Sequence, residues 1–384
     1  MGELEPAQLA IVGGLLIGVL FGGVAQATAF CSSGAILDLV RSGDSNRLRA
    51  WGLAMAVAIL SGQLLFGFQI VDVHKTVYLT ASLNLAGLVL GGLMFGIGMM
   101  LAQGCAARNL VRLGSGNLRA LVVVLVFSVA AYATMRGLLA PWRLVLEQMT
   151  RTDFGAAGIP EIVARTLATK AEWARWIIAL GSAGGLAALC FTSAAFRSSP
   201  RNIVAGLAIG LLVTAGWYLT GALARDDFNP APPASLSFVT PIGDSLQYVM
   251  IFTGVSANFG VALVGGVVLG SFLTALTRRR FRIEGFADQG DFLRQLAGAA
   301  LMGIGSVLAM GCTVGHGLTG LSTLSLGSVF GILAIGAGGF LGARLIATPV
   351  DADRSKGAAT LVDGYCAIDG RTPAPATAAK VMAS

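Results

Sequence analysis

Charge is what this 384-residue chain has least of: 12% of its residues are charged, against about a quarter in an ordinary soluble domain. Arginine supplies 22 of the 26 cationic side chains and lysine only 4. Histidine occurs twice. With 55% hydrophobic residues and a mean hydropathy of +0.78, a soluble fold of this size could neither hide its apolar surface nor cover itself with charge. A soluble enzyme, a disordered chain and a nucleic-acid binder are therefore excluded, despite the net charge of +7. The five cysteines, Cys31, Cys105, Cys190, Cys312 and Cys366, are odd in number and far apart. No CxxC pair is present, so a disulfide framework, a zinc site and a thioredoxin-type centre find no support. No Gly-Lys pair occurs, which removes the phosphate-binding loop of an ATP-driven motor. No cleavable signal peptide is evident either. No cofactor or metal is expected.

What is present is glycine, 53 residues of it, and long apolar runs. In a bilayer, glycine lets helices approach closely and break where backbone faces a cavity. A span needs about 20 apolar residues. Nine are expected, near 8–27, 50–68, 83–103, 119–138, 176–195, 202–222, 259–277, 292–310 and 326–346. Apolar pieces at 28–40 and 245–258 are too short to cross and read as re-entrant segments. The fold class is thus an all-α polytopic membrane protein with about nine transmembrane helices plus short re-entrant helices.

Arginine sets the expected orientation. Arg41, Arg47 and Arg49 follow the first span, Arg197 and Arg201 precede the sixth, and Arg278, Arg279, Arg280 and Arg282 follow the seventh. These loops are expected inside. The N-terminus is then periplasmic and the C-terminus cytoplasmic. The stretch 139–175, with mixed charge and tryptophans, reads as an external amphipathic segment. The tail from about 347 to 384 reads as polar and disordered.

The chain also repeats itself. Met94–Cys105 (MFGIGMMLAQGC) and Leu301–Cys312 (LMGIGSVLAMGC) agree at seven of twelve positions, and Gly14–Leu20 agrees with Gly206–Leu212 at five of seven. Two halves, 1–140 and 202–346, are expected to be duplicates joined through 141–201. The one extra span between them would invert the second, which is a transporter architecture with its site at interrupted helices.

The interruptions carry thiols. Gly104-Cys105 and Gly311-Cys312 each end an apolar helix and precede polar, glycine-rich sequence, and Cys31 precedes Ser32-Ser33-Gly34 in the same way. The repeat sets Leu223 opposite Cys31, so a fourth thiol is missing. Each cysteine alone could be a small core hydrophobe. As a constellation at helix breaks, they read as weak S–H donors for a polarizable, sulfur-bearing anion, since a buried thiol in apolar surroundings stays protonated. Half-helix N-termini would add positive potential. Around them, Arg108 and Asn109 read as attracting or coordinating an anion, and His316 as a donor or base. Gln103 reads as lining the path or linking helices, and Thr28, Ser32 and Thr313 as touching the ion or bonding back to helix carbonyls. Asp38 is the nearest candidate for a proton site.

The Gly-Cys repeats, FCSSGAI from Phe30 to Ile36, AQGCAARNL and AMGCTVGHGL together resemble the YeeE/YedE membrane proteins of bacterial sulfur metabolism. The resemblance covers roughly 8–346. It implies an hourglass-shaped monomer of inverted repeats in the bacterial inner membrane that takes up thiosulfate. It also implies three cysteines lining a midplane constriction and passing the ion by S–H hydrogen bonds; the matching positions are Cys31, Cys105 and Cys312. A small cytoplasmic partner resembling the TusA sulfur carrier often accompanies the family, and some relatives belong to selenium metabolism. The expected substrate-binding set is Cys31, Cys105, Cys312, Gly104, Gly311, Arg108, Asn109, Thr313, His316 and Gln103. The alternatives are transport of another sulfur or selenium oxyanion, and a membrane sulfurtransferase that forms a cysteine persulfide. The latter needs a thiolate and a nearby base or cation.

Overall fold

The computed structural model describes residues 5–347 except 81, 154–157, 167, 169, 226–230 and 287. Cys366 and the expected disordered tail lie outside the described residues. Fifteen helices follow in chain order: α1 Pro6–Thr28, α2 Ser32–Ser42, α3 Asn46–Gly67, α4 Leu85–Leu101, α5 Ala106–Gly114, α6 Leu118–Met135, α7 Ala140–Thr150, α8 Ile159–Thr166, α9 Ala171–Phe191, α10 Ala194–Arg197, α11 Pro200–Tyr218, α12 Val239–Met250, α13 Phe259–Thr277, α14 Gln289–Leu308 and α15 Leu326–Ala347. One two-stranded antiparallel sheet pairs β1 Ser82–Asn84 with β2 Arg151–Asp153. Side-chain caps start the helices where the sequence supplies them. Asn84 accepts from the Gly87 N–H at 2.8 Å, Asn117 from Ala120 at 3.1 Å and Asn258 from Val261 at 2.9 Å. These are ordinary N-cap bonds.

Among the described residues, eight stretches are long and apolar enough to cross a membrane: 6–42, 46–67, 85–114, 118–135, 171–191, 200–223, 259–277 and 326–346. This is an all-α polytopic membrane protein. The eighth of the nine expected spans, 292–310, falls on α14, a 20-residue helix outside that set. Its first two turns carry Asp291, Arg294 and Gln295, which dilute its apolar character. Short helices stand where re-entrant pieces are expected. Residues 28–40 become the end of α1 and most of α2. The second piece, 245–258, is only partly helical, because α12 begins earlier and ends at Met250.

The long helices pack in matched pairs. α1 lies on α13 and α11 on α3; α4 lies on α15 and α14 on α6; α4 and α14 lie on each other. Glycine makes the closest of these contacts. A Cβ on Gly266 would strike the Leu15 carbonyl oxygen and stand 2.9 Å from the Cα of Gly18, and one on Gly22 would strike the Val267 carbonyl. Gly14, Gly18 and Gly22 repeat every four residues on α1, and Gly266 and Gly270 answer them on α13. This is small-residue packing of the kind that joins helices in lipid. The connecting helix α9 sits outside, against α3.

The arginine-bearing loops meet at one end of the bundle. Arg201 donates to the Ala27 carbonyl at 3.0 Å and Arg278 to the same oxygen at 3.1 Å. Arg49 binds the end of α9, donating to the carbonyls of Leu189 and Cys190 and to Thr192. Cys190 lies near the end of α9, where its thiol donates to the Arg49 carbonyl at 3.1 Å. Asp38 is ion-paired with Arg47 at 3.3 Å.

Gly265 and Gly266 separate backbone contact from composition, because a Cβ on Gly265 meets nothing within 4 Å. Gly266→Leu is expected to destabilise the fold by about 3 kcal/mol, the upper range for overpacking. Gly265→Leu is expected to leave it unchanged. Thermal unfolding of the two variants in detergent, followed by size-exclusion chromatography, reads the difference.

Candidate functional site

Three helix breaks build the site, and they share one backbone device. Ala29, Gln103 and Met310 adopt left-handed φ values of 59°, 56° and 58°. Each stands two residues before a cysteine: Cys31, Cys105 and Cys312. The left-handed residue ends one helix, as at many helix C-termini, and the cysteine begins the next. Cys31 is the N-cap of α2, and its sulfur accepts from the Gly34 N–H at 3.3 Å. Cys312 opens a short helix that turns π-helical over Gly315–Gly320, and its sulfur accepts from the Gly315 N–H at 3.3 Å. Cys105 is the N-cap of α5 but makes no side-chain cap bond. All three thiols are buried and free. Leu223, the position opposite Cys31, ends a π-helical stretch, Leu219–Leu223, with no left-handed break.

The thiols stand near one another. Cys31 and Cys105 line one small void of about 10 Å³, together with Ser32, Trp51 and Arg108. The hydroxyls of Ser32 and Thr313 bear on the Cys105 thiol. Thr313 is the residue after Cys312, so the third break reaches the same place. A larger cavity, of about 850 Å³, lies near Cys312. Tyr78, Ser237, His316 and Ser328 line it. The position of a Cβ on Gly315 would be 3.3 Å from the Tyr78 hydroxyl, 3.4 Å from the Ser237 hydroxyl and 3.6 Å from the Cys312 sulfur. Three polar groups thus converge on one point at the edge of that cavity. Its mouth includes Pro6 at the start of α1. The arginine-bearing end lies by Ala27, roughly 34 Å away by the rise of a 23-residue helix.

Every residue expected at the site is buried, but they divide by what they touch. Cys31, Cys105, Arg108 and Thr313 come together around the small void. Arg108 is 6% exposed, and its Nε and Nη1 have no partner. The hydroxyls of Ser32 and Thr313 are also buried, and neither bonds back to its helix. Thr28 does, donating to the Val24 carbonyl at 2.7 Å. Asn109 and His316 each stand four residues after a cysteine and hold helix-end carbonyls. Asn109 donates to Gly104 at 2.9 Å and Cys105 at 3.2 Å, and His316 Nε2 donates to Ala309 at 2.7 Å. Gly104 and Gly311 make room for these side chains. A Cβ on Gly104 would be 3.2 Å from the Asn109 amide nitrogen, and one on Gly311 would be 2.6 Å from the His316 ring. Gln103 points away from the thiols, donating to Asp291 at 3.1 Å. Its carbonyl accepts from Arg112 at 3.1 Å.

Three residues at the site gave no sequence signal. Trp51 looked like one more apolar residue in a span, and Tyr78 and Ser237 like loop residues. Only Tyr78 sat near a marker, the polar stretch at 72–76, and nothing there pointed inward.

The donor set is suited to a small anion. It offers three thiols, buried hydroxyls, a buried guanidinium and the N-termini of broken helices. His316 is not free to act as a base, because its ring already holds the Ala309 carbonyl. Among the described residues, no group of three His, Cys, Asp or Glu side chains could hold a metal ion.

Similar proteins fit this description. Residues 27–341 match the family described as sulphur transport. A protein of Spirochaeta thermophila named thiosulfate transporter TsuA is 27% identical over 328 residues, covering 82% of this chain and 92% of its own length. A protein of the same name from Escherichia coli is 27% identical over 355 residues, covering 85% of this chain and 92% of its own. The family match spans most of the chain and includes all three helix breaks, and the chain accordingly belongs to the sulphur transport family.

Proposed function

We propose that this chain carries thiosulfate across the bacterial inner membrane along a path from the large cavity past Cys312, Cys105 and Cys31. The observation that carries the reading is the recurrence of one arrangement at three places: a left-handed residue, then a buried thiol at a helix N-terminus. The names of both relatives agree with the substrate. On this reading the path narrows from about 850 Å³ to about 10 Å³, and that narrowing is the constriction. Thiols there donate weakly to the anion, which favours release as well as entry. Arg108 supplies fixed positive charge.

We further propose that the halves are an inverted repeat and the path an hourglass. The matched packing of α1 on α13 with α11 on α3, and of α4 on α15 with α14 on α6, supports this reading. So does the equivalence of Asn109 and His316. By the positive-inside rule, the end gathered around Ala27 faces the cytoplasm and the large cavity faces the periplasm.

Two measurements test these proposals. Cys105→Ala is expected to lower uptake of sulfur-labelled thiosulfate into proteoliposomes by about 10- to 100-fold, the loss of one hydrogen bond to a charged group. Uptake equal to the wild type would overturn the thiol path. In a Cys366→Ser background, Ala231→Cys at the cavity mouth is expected to react with an impermeant maleimide added outside intact cells lacking the outer membrane. Arg279→Cys is expected to react only after lysis. The reverse pattern would overturn the orientation.

A further inference from the structure

The small void between Cys31 and Cys105 has an unusual lining. Each side chain in it is apolar, a thiol or a hydrogen-bond donor, and none is a carboxylate. Two side chains there hold donors buried without partners, Arg108 at Nε and Nη1 and Trp51 at its indole N–H, and the buried Ser32 hydroxyl beside them has only the Cys105 thiol to bear on. Trp51 is 4% exposed and Ser32 8%. A buried guanidinium with no counter-charge is among the costliest groups a fold can hold. Unpartnered buried donors are rare one at a time. Here they occur together, on α3 and α5, around one space. Arg112, one turn along α5, adds a second buried guanidinium whose Nη2 also has no partner.

We propose that Arg108, Trp51 and Ser32 form an inner anion-binding station that grips oxygen atoms. The proposal rests on the thiol-path reading and deepens it by naming the substrate class. The station takes a small tetrahedral anion with an oxygen face and one soft, polarizable atom. The oxygens receive the N–H and O–H groups of Arg108, Trp51 and Ser32. The soft atom faces the thiols of Cys31 and Cys105. Sulfate offers the same oxygen face without the soft atom, so it binds through the same three donors and gains less from the thiols. As it stands, the void has room for about one water, so the station is closed and opens only as an anion arrives. The Trp51 ring stacks on Phe30 at 4.8 Å, which makes this pair the part of the wall nearest to the donors.

Binding is measured directly on the purified full chain, by thermal stabilisation with increasing thiosulfate or sulfate, using chloride as the ionic-strength control. Wild type is expected to be stabilised by thiosulfate and, at higher concentration, by sulfate. Arg108→Gln is expected to weaken both anions by about 10- to 100-fold, and Trp51→Phe by about 3- to 10-fold. Cys105→Ala is expected to weaken thiosulfate and spare sulfate. Trp51→Phe keeps the stack on Phe30, so it carries the test if Arg108→Gln does not fold. Wild-type affinity for both anions in Arg108→Gln and Trp51→Phe would overturn the station. So would the absence of stabilisation of the wild type by either anion. The two proposals fail separately. Lost uptake in Cys105→Ala with unchanged binding in Trp51→Phe keeps the thiol path and removes the station. Trp51-dependent binding with full uptake in Cys105→Ala keeps the station and removes the path.

Discussion

A helix that stops inside a membrane leaves four carbonyls at one end and four N–H groups at the start of the next, with no water nearby to receive them. The centre of this protein is organised around that constraint. Each break gives its carbonyl end a side-chain donor, from distant elements at Ala27 and from the helix that follows the break at the other two. Ala27 receives Arg201 and Arg278, Gln103 receives Arg112, Gly104 receives Asn109, and Ala309 receives His316. The N-terminal ends are treated differently. Two are capped by sulfur, at Gly34 and Gly315. The third, at Cys105, has no side-chain cap. Carbonyls are neutralised by strong donors while N–H ends are left with soft partners. The electrostatic result is a centre with net positive character and few fixed charges.

Glycine makes that centre possible in two separate ways. Along α1, α4, α13 and α14 it brings backbones close, so the broken helices are held by intact neighbours rather than by loops. At Gly104 and Gly311 it makes space for Asn109 and His316, the side chains that stabilise the breaks. A substitution at either kind of site disturbs the thiols indirectly, the first by moving whole helices and the second by displacing one cap. The asymmetry between the halves has a similar basis. At the fourth equivalent position the chain stays helical and widens to a π-helical stretch at Leu219–Leu223. No free N-terminus forms there, so a thiol at Leu223 would have no helix to cap.

Much of this was legible in the sequence, because it depended on periodic or local signals. Low charge and long apolar runs gave the class, and Gly-Cys followed by polar residues located two breaks. The expected spans and the apolar helices differ at α14, where polar residues that bind other elements occupy the first turns. Asp291 alone receives Gln103, Arg294, Gln295 and Arg119. The roles of individual site residues were less legible. A histidine four residues after a cysteine looks like a proton carrier until its ring is seen to hold a carbonyl. An arginine three residues after a cysteine gives no hint that it is buried with two guanidinium nitrogens unpartnered. Trp51 lies 20 residues from Cys31 and 54 from Cys105, and no local pattern connects them. Tertiary contact alone does.

The balance between holding and releasing an anion follows from how unequal these donors are. A hydrogen bond from a charged group contributes about 1.5–3 kcal/mol, and one between neutral groups about half of that. A row of guanidinium groups along the proposed path would sum to a trap. A row of apolar side chains would present a dielectric barrier to a dianion. Three thiols with one guanidinium beside two of them lie between these extremes. The anion exchanges each weak donor for another of similar strength, so no single step is steep. Such a path conducts in either direction, and its asymmetry decides where the ion rests rather than which way it goes. On the proposed path, net import would have to come from the gradient maintained on either side, and Arg108, the guanidinium beside Cys31 and Cys105, would set the place where the ion waits.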